Sequence, residues 1–366
     1  HFKKSDWEIY KAVNQKFANV VLKEIGDQKA FVFIQDYHFA LLPTMLKKKN
    51  PNCIIAQFWH IPWPNREVLR VCPWQNELLN GLLGNDLLGF HIMYHCHNFL
   101  DTVERNLVSR VDTEKFEVIK GGRSTLVRSF PISVDFKRIN ERAQTSIVEE
   151  EMERLRKQLG LKGQKVILGA DRIDYTKGIP ERLQAMDLFF EKYPQYIGKV
   201  TFVQVGVLSR IHLPKYKALN DELNKLIEEI NFKYQQGSWK PICFNRANYA
   251  KDALYALYRL ADICLVSSLH DGMNLVAKEF VAARPDKDGV LILSYFTGAA
   301  RELHKAIMVN PYSIDDMADA IKRSLEMSPQ KRKMRMSMLR QTVKQNNIYR
   351  WAGKILSELL RFEFRE

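Results

Sequence analysis

No stretch of this sequence is apolar for long enough to cross a membrane. No signal peptide opens it either: the chain starts His1-Phe2-Lys3-Lys4 and runs straight into a helical pattern. Cysteine is sparse. Cys53, Cys72, Cys96, Cys243 and Cys264 are odd in number, widely spaced and without a CxxC pair, which argues against a disulfide framework and for a reducing compartment, so a cytoplasmic location is expected. Several reaction signatures are also missing. There is no HExxH, no GxSxG elbow and no Walker loop. His91, His95, Cys96 and His97 cluster on one predicted helix, but no second clustered pair joins them, and they read as structural rather than metal-binding. Neither a metal nor a cofactor is expected. Short repeats and low-complexity tracts are absent as well.

What is present is a chain of 366 residues, 46% hydrophobic and 27% charged, as expected for a globular protein of two or three domains. Its net charge of +14 favours anionic partners. The basic residues are scattered apart from Lys47–Lys49 and Lys331–Arg335. Neither run is interleaved with the aromatics of a nucleic-acid platform, so phosphorylated small molecules are the better match than nucleic acid.

Short apolar runs alternate with helical patterns along the chain. Strands are predicted at 30–34, 53–58, 87–90, 166–170, 200–205, 263–266 and 290–293, and helices at 5–22, 74–84, 92–105, 146–159 and 178–193. Ser5 with Glu8 suggests a capping box on the first helix, and Gly121-Gly122 a hairpin turn. This rhythm is that of parallel α/β sheets. The predicted division is a first Rossmann-like domain at 1–143, a second at 144–345, and a C-terminal helix at 346–366 that crosses back to the first. Two such domains facing one another leave a cleft at the carboxyl ends of their strands, where ligands bind in open α/β sheets.

Three segments at predicted strand ends carry candidate chemistry. In Asp271-Gly272-Met273-Asn274-Leu275-Val276-Ala277-Lys278-Glu279 a helix opens near Asn274, and its N-terminus suits a diphosphate. Asp271 is placed to meet sugar hydroxyls and Glu279 a ribose; the plainer alternative is an Asp cap and a solvated Glu. In Asp171-Arg172-Ile173-Asp174-Tyr175-Thr176-Lys177-Gly178, Arg172 offers a planar fork and Lys177 a compact charge, two cations fit for a leaving diphosphate. The alternative there is a solvated loop turning at Gly178. In Phe58-Trp59-His60-Ile61-Pro62-Trp63-Pro64 two prolines stiffen the loop around His60, which is either a packed structural histidine or a donor to a sugar hydroxyl. Gln35-Asp36-Tyr37-His38 closes an earlier strand and presents Asp36.

Together with GLLGNDLLGFH, GVLILSYFTGAA and VNPYSIDD, these segments resemble the trehalose-6-phosphate synthase family in order and spacing, from about Trp7 to Trp351. The resemblance implies an α/β protein of the GT-B class, with two parallel sheets facing a central cleft and an incomplete first domain. It implies a retaining glucosyltransferase that moves glucose from a nucleotide-sugar, usually UDP-glucose, to glucose-6-phosphate. By motif, Arg172 and Lys177 would hold the donor diphosphate. Asp271, Asn274 and Leu275 would hold the glucosyl group and phosphate, and Glu279 the ribose. His60 would touch the transferred glucose, Asp36 would lie on the acceptor side, and Arg210 would take the acceptor's phosphate. Catalysis is then expected from Arg172, Lys177, Asp271 and His60 through positioning and charge stabilisation, without a metal. The partners implied are the nucleotide-sugar donor and the sugar-phosphate acceptor, with no nucleic acid and no membrane; a homo-oligomer is compatible.

The sequence departs from the family pattern in places. Family members begin with a further strand and a glycine-rich loop, so the chain reads as N-terminally shortened. Gln35 replaces a histidine, His270 an arginine and Ser133 a glycine, and Tyr295 and Thr297 alter another run. These changes bear more on the acceptor than on the donor. Two alternatives stay open: transfer to another phosphorylated acceptor, as in glucosylglycerol-phosphate synthases, and a non-catalytic regulatory relative.

Overall fold

Apolar runs form the inner strands, and the nearly unbroken burial of Ile54–Phe58, Leu87–Phe90, Val200–Val207, Ile263–Val266 and Val290–Ser294 explains why they read as continuous apolar stretches rather than alternating ones, whereas Phe31–Gln35 is largely exposed. The computed structural model describes residues 2–207 and 212–362. The chain divides into two units, residues 1–132 with 349–366, and residues 133–348.

The first unit runs α1 (Lys4–Ile25), β1 (Phe31–Gln35), α2 (Leu42–Lys49), β2 (Ile54–Phe58), α3 (Arg66–Leu69), α4 (Gln75–Leu82), β3 (Leu87–Phe90), α5 (Met93–Asn106), β4 (Arg110–Asp112), β5 (Glu117–Lys120) and β6 (Arg123–Ser129). Its sheet has the order β1-β2-β3-β6-β5-β4. The first four of these neighbours are parallel, and β6-β5-β4 form an antiparallel extension. Gly121 and Gly122, with φ of 57° and 74°, make the predicted turn between β5 and β6, a conformation open to glycine at no steric cost. The C-terminal helix Ile348–Leu359 lays Ile355 and Leu359 against Ile54, Phe58, Leu87 and Phe130 of this sheet. The predicted capping box does not form. α1 begins at Lys4 with no side-chain cap, which leaves Ser5 inside the helix, and Glu8 pairs with Lys11 one turn on.

The second unit runs α6 (Phe136–Arg142), α7 (Ser146–Gln158), β7 (Lys165–Arg172), α8 (Ile179–Lys192), β8 (Val200–Val207), α9 (Pro214–Tyr234), β9 (Ile242–Asn245), α10 (Lys251–Leu260), β10 (Ile263–Val266), α11 (Leu275–Ala282), β11 (Val290–Ser294), β12 (Ile307–Val309), α12 (Ile314–Leu325) and α13 (Pro329–Gln345). Its sheet is wholly parallel, in the order β12-β11-β10-β7-β8-β9. The chain builds outward from β7 to β9, returns to the other side of β7, and builds outward again. β7 and β10 therefore flank a topological switch point, the place where open α/β sheets hold ligands. The first unit ends at residue 132, ahead of the 143 read from the sequence, because α6 packs with the second unit. There Arg142 forks onto Asp252 at 2.7 and 2.8 Å, and Arg340 covers the Phe136 ring at 5.0 Å.

Candidate active site

The loops after β7 and β10 carry the two charged motifs, and the parallel pairing of these strands brings the loops together. Lys177 Nζ lies 2.6 Å from Asp271 Oδ2, both side chains mostly buried at 17% and 14% exposure. The lysine arrives there by local turn chemistry. Asp174 accepts from the Thr176 amide and hydroxyl, both at 2.9 Å, and its main-chain oxygen takes the Lys177 amide. Burial pushes the Asp174 carboxyl up, but these bonds, the Tyr216 hydroxyl and the Arg172 charge bring it below its ordinary value. Gly178 then turns into α8 with φ of 63°, and a side chain there would collide with the Ser267 carbonyl.

Asp271 is held on both sides. Its Oδ2 accepts from Asn274 Nδ2 at 3.1 Å, and its main-chain amide donates to Phe296. Asn274, at φ of 77°, caps α11 by accepting the Ala277 amide at 3.0 Å. The amides of Leu275 and Val276 find no acceptor among the described residues, which leaves the positive end of the helix for an anion. Arg172 ends β7 exposed and makes no ion pair among the described residues. Glu279, one helical turn past Leu275, lies deeper. Tyr258, fully buried, donates its hydroxyl to Glu279 Oε2 at 2.9 Å. Burial raises the Glu279 carboxyl above its ordinary value, opposed by the Tyr258 bond and the Lys251 charge.

In the first unit Asp36 and His60 follow the carboxyl ends of β1 and β2, whose register pairs Gln35 with Phe58. Asp36 Oδ1 accepts from the amides of Tyr37 at 2.9 Å and His60 at 3.1 Å, and thereby locks two loops together. Its own backbone takes a φ of 66°, an unusual conformation for a residue with a side chain. His60 Nε2 lies 2.8 Å from Gln35 Oε1. With an amide oxygen as partner, Nε2 carries the proton and Nδ1 is left as an acceptor. Burial lowers the His60 pKa, Asp36 opposing, so the ring is neutral near pH 7. Beside Asp36 opens an aromatic cavity of about 320 Å³ walled by Trp7, Tyr10, Tyr37, Trp59 and Trp74. Trp7 and Trp74 stack at 5.0 Å, and the buried Trp59 indole N–H has no acceptor among the described residues.

The predicted site residues thus gather into two sets: Lys177, Asp271, Asn274, Leu275 and Glu279 around α11, with Arg172 at the neighbouring strand end, and Asp36 with His60 in the first unit. Arg210 lies outside the described residues. Among the described residues, no three His, Cys, Asp or Glu side chains converge as a metal would require.

A family model described as Glycosyltransferase family 20 matches residues 1–361. The chain belongs to glycosyltransferase family 20. It is 36% identical over 365 residues to the UDP-forming alpha,alpha-trehalose-phosphate synthase of Candida albicans, covering 99% of this chain and 76% of that one. It is likewise 36% identical to the 56 kDa subunit of the Saccharomyces cerevisiae synthase, with 98% and 72% covered. Among solved structures, the E. coli protein bound with UDP-2-fluoro glucose aligns with a TM-score of 0.94 at 33% identity, covering all of this chain and 80% of that one. A Burkholderia xenovorans synthase in complex with glucose-6-phosphate aligns at 0.93 and 31%, with 98% and 79% covered. The chain is thus a GT-B glycosyltransferase.

Family membership sharpens what sequence reasoning missed. Arg182 on α8 is fully buried and braces the ends of β7 and β10: Nη1 reaches Asp171 and Gln204 at 2.8 Å each, and Nε reaches Ser267 at 2.9 Å. Tyr258, which aims Glu279, was not singled out either. Nor was the aromatic cavity, although Trp7 and Tyr10, three residues apart on one helix, were a visible signal.

Proposed function

We propose that the chain transfers the glucosyl group of UDP-glucose, with retention, to glucose-6-phosphate. The observation that carries this reading is the Lys177–Asp271 pair beside the open amides of α11. Without ligand, each charge is balanced by the other. A nucleotide-sugar satisfies both separately, its diphosphate replacing Asp271 at Lys177 and its sugar hydroxyls replacing Lys177 at Asp271. Arg172 adds a second cation, and Glu279, already aimed by Tyr258, accepts from the ribose. As the C1–oxygen bond to the diphosphate breaks, negative charge grows on the leaving phosphate, and fixed cations and amide dipoles there lower the barrier. The acceptor hydroxyl bonds to C1 and gives its proton to that phosphate, so no protein carboxylate becomes a nucleophile. In the first unit, neutral His60 presents Nδ1 to a sugar hydroxyl, and the aromatic cavity takes a sugar face beside Asp36. Arg210 takes the acceptor's phosphate. The relatives' UDP-forming activity, and the neighbours bound to a UDP-glucose analogue and to glucose-6-phosphate, support this choice of substrates. Five free cysteines suit the reducing cytoplasm.

The test is UDP release from UDP-glucose with and without glucose-6-phosphate, beside calorimetric titration of UDP-glucose and ADP-glucose. UDP release that depends on glucose-6-phosphate is expected. Release only with glycerol phosphate would move the chain to the other acceptor branch, and no donor binding would make it a non-catalytic relative.

A further inference from the structure

A second cavity of about 530 Å³ lies in the second unit along β9, the outer strand of its sheet, away from the β7–β10 switch point. Arg246 follows the carboxyl end of β9 and forms one end of the cavity. Its guanidinium is held from behind by neutral groups. Nε donates to Asn220 Oδ1 at 3.1 Å, Nη2 donates to Asn224 Oδ1, and the plane rests 4.5 Å from the Phe244 ring. No carboxylate pairs with it among the described residues. An arginine fixed in place by amide oxygens keeps its full charge, and its remaining N–H groups, for an incoming anion.

The rest of the wall adds a second cation, Lys240, one carboxylate, Glu228, and neutral hydrogen-bonding groups. Asn224, Glu228 and Asn231 stand on one face of α9, spaced by a helical turn each, with Ser238 beyond. Such groups match hydroxyls. The edge of β9 is meanwhile closed to a pairing strand: the Asn231 amide accepts the Ile242 N–H at 3.0 Å and donates to the Ile242 carbonyl at 3.1 Å. That favours a small molecule over an extended peptide. The volume suits one, since ligand pockets commonly span about 300–1,000 Å³.

We propose that this cavity is a second ligand site, for a small phosphorylated polyol, with the phosphate on Arg246 and the hydroxyls along α9.

Cys243 lines the cavity and is half-buried, which supplies a local probe. Alkylation of the whole chain by iodoacetamide, followed peptide by peptide, reads occupancy at Cys243, with the half-buried Cys72 of the first unit as internal reference. Fructose-6-phosphate is the ligand, and fructose and inorganic phosphate are the controls. At roughly ten times its Kd, fructose-6-phosphate should slow Cys243 alkylation about tenfold and leave Cys72 unchanged. Protection should persist in Lys177→Ala, which separates this site from the donor site, and vanish in Arg246→Ala. Asn224→Ala, which unseats the arginine without removing its charge, should weaken it. Arg246 is exposed and Asn224 half-buried, and an unchanged melting temperature confirms folding. An unprotected Cys243, equal protection in Arg246→Ala, or equal protection by fructose or by phosphate alone would overturn the proposal.

Discussion

The two clusters of site residues are built on opposite principles. Around α11 buried charges are mostly paired with opposite charges: Lys177 with Asp271, Arg182 with Asp171, Lys278 with Glu302 at 2.5 Å. Around Asp36 the groups are neutral or aromatic: His60 on Gln35, Trp7 on Trp74, Trp59 with a vacant N–H. A region proposed to receive a diphosphate holds strong charge, and here most of it is balanced internally. The region proposed to receive a sugar offers flat faces and single hydrogen bonds instead. The difference predicts that substitutions around α11 act through electrostatics and stability, and those around Asp36 through orientation.

The largest effect is expected at Arg182. Arg182→Ala leaves Asp171, 3% exposed, without its cation in the core. Breaking a buried pair from one side costs about 3–5 kcal/mol, read as a lowered urea midpoint. A loss below about 1 kcal/mol, as for exposed pairs, would show that the bracing is not electrostatic. Next comes Lys177→Ala. The removal of one fixed donor to a developing anion costs about 10²–10³ in kcat, whereas folding should change little because Asp271 keeps Asn274 and some solvent. Near-normal turnover would take Lys177 out of the diphosphate role.

Tyr258→Phe follows. Burial raises the Glu279 carboxyl, and the Tyr258 hydroxyl opposes that rise. A raised carboxyl means the folded chain binds more protons than the unfolded one between the ordinary value and the raised one. Stability therefore falls as pH rises through that window and stays lower above it. Ribose hydroxyls favour the ionised form, so UDP should bind more tightly as pH rises through the same window. Without the Tyr258 hydroxyl this limb should move to higher pH, with affinity on it lower by up to about tenfold for each unit moved. The loss should shrink for 2′-deoxy-UDP. An unmoved pH limb would make Tyr258 a packing residue only.

Much of this arrangement was readable from sequence, because parallel strands carry their chemistry on the loops at their carboxyl ends. The runs 263–266 and 87–90 fall where predicted, and Lys177 and Asp271 follow neighbouring strands. What stayed hidden depends on side chains that meet across long separations. Arg182 reaches Ser267 85 positions on, and Tyr258 reaches Glu279 21 positions on. Periodicity marks both simply as residues on helices. The mistaken capping box at Ser5 has a local cause: the helix starts one residue early, and Glu8 finds Lys11 a better partner than a backbone amide. The boundary at 143 missed α6 because a short helix carries no sign of which sheet it will cover.

The smallest effect tests the neutral side of the comparison. Gln35 Oε1 lies 2.8 Å from His60 Nε2 and offers it an acceptor. Gln35→Leu removes that acceptor and nothing charged. The ring is then free to turn, and turnover should fall by about tenfold, the value of one neutral hydrogen bond of about 1.4 kcal/mol, with donor affinity unchanged. The pH dependence separates orientation from charge. Burial lowers the His60 pKa, so the folded chain binds fewer protons than the unfolded one just below the ordinary histidine value. Stability should therefore drop as pH falls through that range and be flat above it. Gln35→Glu places a carboxylate against Nε2 and should raise the His60 pKa, so that the ring is charged at higher pH and the drop in stability moves or disappears. If Gln35→Leu lowers turnover at pH 8 while Gln35→Glu, which keeps an acceptor at Nε2, retains more of it and alone changes the pH profile, His60 works by where it points rather than by its charge; equal losses in both would sink that reading.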